Sequence, residues 1–129
     1  EGARLVVVSA GFREAIEALW RREDLPPATI VASELSDGPP YRMAFSPQLG
    51  DCPVCGPRGC KGSVVASVRR PQDLVAVFGD GHADLCMARA ADVVFARGTL
   101  AALCRDEGIA YHDLDYRAAL PVIRAALPT

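Results

Sequence analysis

The 129-residue chain reads as an α/β fold with a mostly parallel sheet, because short β-branched runs alternate with longer stretches of helical periodicity. Two of those runs, Arg4 to Ser9 (RLVVVS) and Leu74 to Phe78 (LVAVF), are unbroken apolar stretches, the pattern of strands covered on both faces. Half of the residues are apolar and 23% are charged, and no linker interrupts the pattern. One small globular domain over residues 1–129 is therefore expected.

The elements follow in order. After the strand at Arg4 to Ser9, Gly11 to Glu23 reads as a helix with Ala15, Ile16, Leu19 and Trp20 on one stripe, which places Trp20 in the core. Leu25-Pro26-Pro27 stops it. Thr29 to Leu35 predicts a strand, Asp37 to Pro40 a turn, and Tyr41 to Phe45 the return strand of a β-hairpin. Ser46 to Cys60, rich in Pro, Gly and Cys and without periodicity, predicts a loop. Gly62 to Arg70 is a short helix led by Lys61 and ended by Pro71, and Leu74 to Phe78 is a buried strand running into the turn Gly79 to Asp84. Leu85 to Ala90 reads as a helix, Asp92 to Ala96 (DVVFA) as a further buried strand, and Leu100 to Glu107 as a helix capped by Gly108. Ile109 to His112 predicts a last short strand, with His112 structural, and Tyr116 to Leu127 a helix interrupted by Pro121.

A net charge of −2 with acids and bases interspersed leaves no electrostatic footprint for nucleic acid or an anionic membrane. No apolar run approaches the roughly 20 residues a bilayer span needs, and the opening EGARLVVVSAGF lacks a secretory pattern, so a cytoplasmic location is expected. Of the 14 Lys and Arg residues, only Lys61 is a lysine. That asks for a specific role.

Two apolar strands end in polar turns that open helices: VVVSAGF at Val6 to Phe12 and VAVFGDGHAD at Val75 to Asp84. The carboxyl ends of parallel strands line the ligand crevice of such sheets, so both turns are expected to face one pocket. At the first, the Ser9 hydroxyl and the N–H groups of Ala10 and Gly11 suit an anion such as phosphate. At the second, Gly81 lets the backbone bend, Asp80 leaves the strand end, and Asp84 sits one helical turn on. Paired carboxylates there suit Mg²⁺, and His82 beside Asp80 is placed to touch a substrate. The Lys61 ammonium would neutralise both a phosphate and an acidic nucleophile. Each feature alone has a plainer reading: Ser9 as a helix cap, the GDG turn as a tight turn with an acid at a helix start, Lys61 as a solvated residue. Their joint order favours chemistry.

At these residues the chain resembles the haloacid dehalogenase superfamily of phosphatases, in its phosphoserine-phosphatase-like branch. VVVSAGF is similar to that branch's second motif, CKGSVV around Lys61 to the third, and FGDGHADL to the fourth. The resemblance implies a Rossmann-like three-layer core, Ser9 as the phosphate-binding hydroxyl, Asp80 as the metal ligand, and Asp84 as a ligand through water or an anchor behind it. It implies a Mg²⁺-dependent phosphomonoester hydrolase working through an aspartyl-phosphate on a small phosphorylated metabolite. Phosphoserine, phosphocholine-like and methylthio-sugar-derived esters are the candidates. Ala10 stands where phosphoserine phosphatases carry a glycine. The family's DxDxT nucleophile motif is absent, and Asp113-Leu114-Asp115, after the last strand and without the Thr, is no substitute. By family topology the strand bearing it would lie between those carrying Ser9 and Asp80. An N-terminal segment or another chain is therefore expected to complete the sheet, and the 129 residues alone to be inactive.

Cys52, Cys55 and Cys60 form a C-x2-C-x4-C cluster directly before Lys61, while Cys86 and Cys104 fall on helical stretches. The cluster reads as reduced loop thiols or as part of a Zn²⁺ site whose fourth ligand would come from Asp51, a His or elsewhere. A cytosolic disulfide is the least expected state. A similar Cys-rich run ending in Cys-Lys occurs in family members resembling phosphocholine, phosphoethanolamine and methionine-salvage phosphatases. The rival functional readings are a non-catalytic binding or assembly module built on a zinc loop, and a pseudo-phosphatase that senses a phosphorylated ligand.

Overall fold

The computed structural model describes residues 2–129. The chain gathers into two compact units, Glu1–Leu49 and Gly50–Thr129. The fold is mixed α/β, as the alternating periodicity predicts. No helix of the described residues is long and apolar enough to cross a membrane.

In the first unit, β1 (Val6–Phe12), α1 (Arg13–Arg22), β2 (Thr29–Leu35) and β3 (Met43–Ala44) build a sheet of order β1-β2-β3. β1 and β2 are parallel, with Val6, Val7 and Val8 opposite Thr29, Ile30 and Val31, and α1 is the crossover between them. β3 returns antiparallel to β2 with Glu34 opposite Ala44, so the predicted hairpin is present. β1 runs three residues beyond its predicted end at Ser9, and the helix starts at Arg13 rather than Gly11. The register gives the reason: from Val8 to Phe12 β1 advances four residues while β2 advances two, from Val31 to Ser33, so residues 9–11 bulge from the ladder.

Trp20 is a correction. α1 buries no residue; Leu19 on its stripe is 47% exposed, and Trp20 is half-buried with Nε1 donating to the Pro26 carbonyl at 2.7 Å. One helix on so small a sheet seals little beyond Val31, Ala32 and Ser33 of the middle strand.

The second unit opens with another correction. Within the predicted loop, β4 (Gly50–Cys52) and β5 (Gly56–Cys60) pair as an antiparallel ribbon, Gly50 opposite Cys60 and Cys52 opposite Gly56. Neither strand carries a β-branched residue, so no apolar period announces them. Side chains hold the ribbon instead: Asp51 Oδ1 accepts from Arg58 N at 2.9 Å, and Gly50 N donates to Ser63 Oγ at 2.7 Å.

There follow α2 (Gly62–Val68), β6 (Ala76–Gly79), a 3-10 turn (His82–Asp84), α3 (Leu85–Ala90), β7 (Val93–Ala96), α4 (Gly98–Glu107), β8 (His112–Asp113) and α5 (Tyr116–Ala126). β6, β7 and β8 form a wholly parallel sheet in that order. Alternate residues of β7 face opposite layers. Val94 and Ala96 pack with Leu85, Ala88, Leu100, Ala101 and Cys104, whereas Val93 and Phe95 pack with Ala119, Phe78, Val122 and Ile123. Phe78 stacks on Phe95 at 4.7 Å between ring centroids, and His112 tilts against Phe95 at 5.5 Å. Helices thus cover both faces, the Rossmann-like layering expected.

α5 runs unbroken through Pro121, where the sequence predicted an interruption. Packing of Ala119, Val122 and Ile123 outweighs the one hydrogen bond proline forfeits. Asp115 caps this helix, its Oδ1 accepting from Arg117 N at 2.9 Å and Ala118 N at 3.4 Å. Among the described residues, β1 has no strand partner opposite β2 and β6 none opposite β7.

Candidate functional site

In the second unit a site is assembled around one buried carboxylate. Gly62 opens α2, and a Cβ there would lie 2.9 Å from both Cβ and O of Cys86. Only the missing side chain lets α2 lie so close to α3. Lys61, one residue earlier, thereby reaches Asp84: Nζ donates to Oδ1 at 2.8 Å, with the two side chains 15% and 10% exposed. The other oxygen, Oδ2, accepts from Asp80 N and Gly81 N, each at 3.1 Å. Gly79 permits this wrap, since a Cβ on it would sit 2.8 Å from Asp84 Cβ and Oδ2. Burial alone would raise the Asp84 pKa. The Lys61 hydrogen bond, the Gly81 N–H, the Lys61 charge and the Asp80 N–H outweigh it, so the carboxyl titrates below its ordinary range.

Asp80 behaves differently. It follows the last residue of β6, its side chain is 62% exposed, and Arg97 NH2 lies 3.6 Å from its Oδ2. His82 is exposed on the 3-10 turn. Arg97 escaped the sequence reading, although parallel register contains the signal: Gly79 pairs with Ala96, so the next residues on each strand are Asp80 and Arg97.

Lys61, Asp80, Gly81, His82 and Asp84 thus belong to one neighbourhood, tied together through Asp84. Ser9, Ala10 and Gly11 lie in the first unit, in the β1 bulge. There the Ser9 Oγ accepts from Gly11 N at 3.0 Å, so the Gly11 N–H expected to be free for an anion is engaged by the serine itself. Asp115 spends its carboxylate on the α5 cap.

The cysteines gather beside this neighbourhood. The sulfurs of Cys52, Cys55, Cys60 and Cys86 all lie within 4.8 Å of one another, with Cys86 to Cys55 at 3.5 Å and to Cys52 at 3.9 Å. Cys86 is the member that the sequence spacing did not reveal. Backbone N–H groups of Cys55 and Val54 lower the Cys52 pKa to about 7. Burial and then Cys86 push Cys55 up to about 12. Cys104 is apart, on the buried face of α4, where burial raises its pKa.

A lysine at a helix start and two aspartates on the turn after a parallel strand are groups whose chemistry can hold an anion and a divalent cation. Comparison with known proteins adds to this. No family model matches the chain. A stretch of 61 residues, 47% of this chain, is 41% identical to a protein of an Exiguobacterium species (strain AT1b) named 2-hydroxy-3-keto-5-methylthiopentenyl-1-phosphate phosphatase. A stretch of 52 residues, 40% of the chain, is 38% identical to the protein of that name from Exiguobacterium sibiricum. The matched stretches span 26% and 24% of those relatives. Part of this chain is therefore similar to about a quarter of two phosphatases.

Proposed function

We propose that the chain belongs to a Mg²⁺-dependent phosphomonoester hydrolase of the haloacid dehalogenase type, acting on a small phosphorylated metabolite. The relatives' names favour a methylthiopentenyl phosphate ester. The observation that carries the reading is the Lys61 ammonium, held by Asp84, which in turn grips the backbone of Asp80 and Gly81. One carboxylate thereby fixes both a phosphate-neutralising cation and the turn that presents Asp80.

The donor set fits magnesium with Asp80 as its main protein ligand. Its carboxylate is exposed, and Mg²⁺ commonly takes one or two carboxylates and fills its shell with water and substrate oxygens. Asp84, with both oxygens already accepting hydrogen bonds, acts in this reading as the anchor for Lys61. When bound, magnesium would supply countercharge for the phosphoryl oxygens. Arg97, at the end of the neighbouring strand β7, adds a second cation beside Asp80. Ser9 enters through the family resemblance as a phosphate-binding hydroxyl. With no DxDxT in the 129 residues, the attacking carboxylate comes in this reading from a segment outside them.

The test is calorimetric titration of the chain with orthophosphate in Mg²⁺. Lys61→Met should weaken phosphate about tenfold to a hundredfold, the value of a charged hydrogen bond, and Asp80→Asn should abolish the Mg²⁺ dependence. Circular dichroism checks that both variants fold. Equal phosphate affinity in folded Lys61→Met would defeat the assignment. With an aryl phosphate, the chain should show no turnover above the Lys61→Met background; clear turnover would place the nucleophile within these residues.

A further inference from the structure

We propose that Cys52, Cys55, Cys60 and Cys86 form a closed tetrathiolate site for one Zn²⁺ ion. The inference is independent of the phosphatase reading. Tetrahedral zinc with Zn–S bonds of about 2.3 Å holds its sulfurs about 3.8 Å apart. The observed 3.5 and 3.9 Å bracket that separation, and all four sulfurs fall within 4.8 Å of one another. A multi-iron cluster, larger than a single ion, would spread its thiolates further. A disulfide needs about 2.05 Å and would join only two of the four.

Ordinary packing does not account for the gathering. The two apolar clusters packed around β7 contain none of the four residues; Cys60 is buried but Cys52, Cys55 and Cys86 are only partly so, whereas Cys104 shows what a packing cysteine looks like here: fully buried among Leu100, Ala101 and Val94. The β4–β5 ribbon has almost no core of its own, and Val54 at its turn is 50% exposed. Two strands alone are marginal in water, so a ribbon of this composition needs a staple. A metal joining its three cysteines to Cys86 on α3 is such a staple.

The chemistry selects zinc. Four soft sulfur donors disfavour Mg²⁺ and Ca²⁺, and four protein ligands leave no open position, which marks a structural rather than catalytic ion. Surrounding donors suit the negative charge of a zinc tetrathiolate. The N–H groups of Val54 and Cys55 are directed at Cys52, and Arg89 NH1 lies 4.0 Å from the Cys86 sulfur. The site would also position the neighbourhood beside it, because Cys60 adjoins Lys61 and Cys86 lies two residues beyond Asp84.

The chain, produced with zinc under reducing conditions, should carry about one zinc per molecule by elemental analysis. Cys86→Ser and Cys52→Ser should each weaken zinc at least about tenfold in chelator competition, with Cys104→Ser unchanged. Replacement by Co²⁺ should give the visible bands of a tetrahedral tetrathiolate. Cys52 sits on the partly exposed ribbon, so its variant reports even if Cys86→Ser misfolds. Zinc content no higher than in a chain lacking all four thiols, unchanged affinity in both serine variants, an octahedral cobalt spectrum, or iron taken in preference when both metals are supplied equally would each overturn the inference. Zinc retained while phosphate binding fails defeats the phosphatase reading alone. Phosphate bound by a chain that takes no zinc defeats this inference alone.

Discussion

Replacing Asp84 with Asn keeps the shape of the side chain and removes its charge, which isolates the contribution of the Lys61–Asp84 pair. Asp84 accepts three hydrogen bonds, from Lys61 Nζ at 2.8 Å and from Asp80 N and Gly81 N at 3.1 Å. An amide offers one accepting oxygen. If that oxygen faces the two backbone donors, the NH₂ group meets the Lys61 ammonium, donor against donor. With the partners 15% and 10% exposed, the stranded ammonium has little access to water. Breaking a buried pair costs roughly 3–5 kcal/mol, and the low end applies because a lysine stem can bend towards solvent. A loss of about 3 kcal/mol at neutral pH should lower the urea midpoint by about 1–2 M, followed by far-UV circular dichroism. The double variant Lys61→Met/Asp84→Asn removes the orphaned charge, and should lose less than the sum of the single variants by about 1 kcal/mol or more. A loss below about 0.5 kcal/mol in Asp84→Asn, or strict additivity in the cycle, would refute the view that this pair organises the turn.

Gly62→Ala should destabilise by about 1–3 kcal/mol in thermal unfolding although alanine is the better helix former, because the new Cβ meets Cys86 backbone and Cβ at 2.9–3.0 Å and α2 must part from α3; an unchanged or raised Tm would contradict this. Asp92 accepts from Val75 N at 2.8 Å and from Arg69 NH2 at 2.7 Å, and these bonds, the Val75 one foremost, hold its carboxyl below the ordinary range. A depressed native pKa gives stability that is present above the unfolded value of about 3.9 and lost as pH falls through the native one. The advantage of wild type over Asp92→Asn should therefore shrink between pH 7 and pH 3, from at most about 1 kcal/mol given the exposure of the pair; urea midpoints showing a gap that is constant or grows in acid would contradict it.

What the sequence made legible were the elements whose physics is local. AVF in β6 and VVFA in β7 are apolar runs of the kind two covering layers require, and VVV in β1 marks its strand although none of its residues is buried there; each strand lies within two or three residues of its predicted bounds. Gly108 ends α4 in the left-handed conformation expected of it. Lys61, Asp80 and Asp84 were legible as candidates because strand-end turns concentrate polar chemistry. What stayed hidden depends on partners far along the chain. The β4–β5 ribbon has no apolar period because hydrogen bonds and thiols hold it, not a core. Cys86 lies 34 residues from Cys52, with no spacing rule to link them. The engagement of Gly11 N by Ser9 follows from a bulge that only the β1–β2 register reveals, and the incomplete burial of Trp20 follows from how little sheet α1 has to cover.

The two segments Cys60–Gly62 and Asp84–Cys86 meet three times within three residues on each side. Lys61 pairs with Asp84, Gly62 lies against Cys86, and Cys60 shares the sulfur cluster with Cys86. Contacts this close cannot vary independently, since any sliding of α2 along α3 that relaxes one must strain the other two. Interfaces of this kind are rigid because each contact restricts the geometry of the next, not because any one is strong. On the proposed phosphatase reading, a lysine that meets a small dianion needs its stem immobilised more than it needs additional charge, and the backbone on either side of Lys61 is where that immobilisation occurs. The sulfur cluster and the carboxylate therefore serve the same end from opposite sides of one residue: each limits where the ammonium can go.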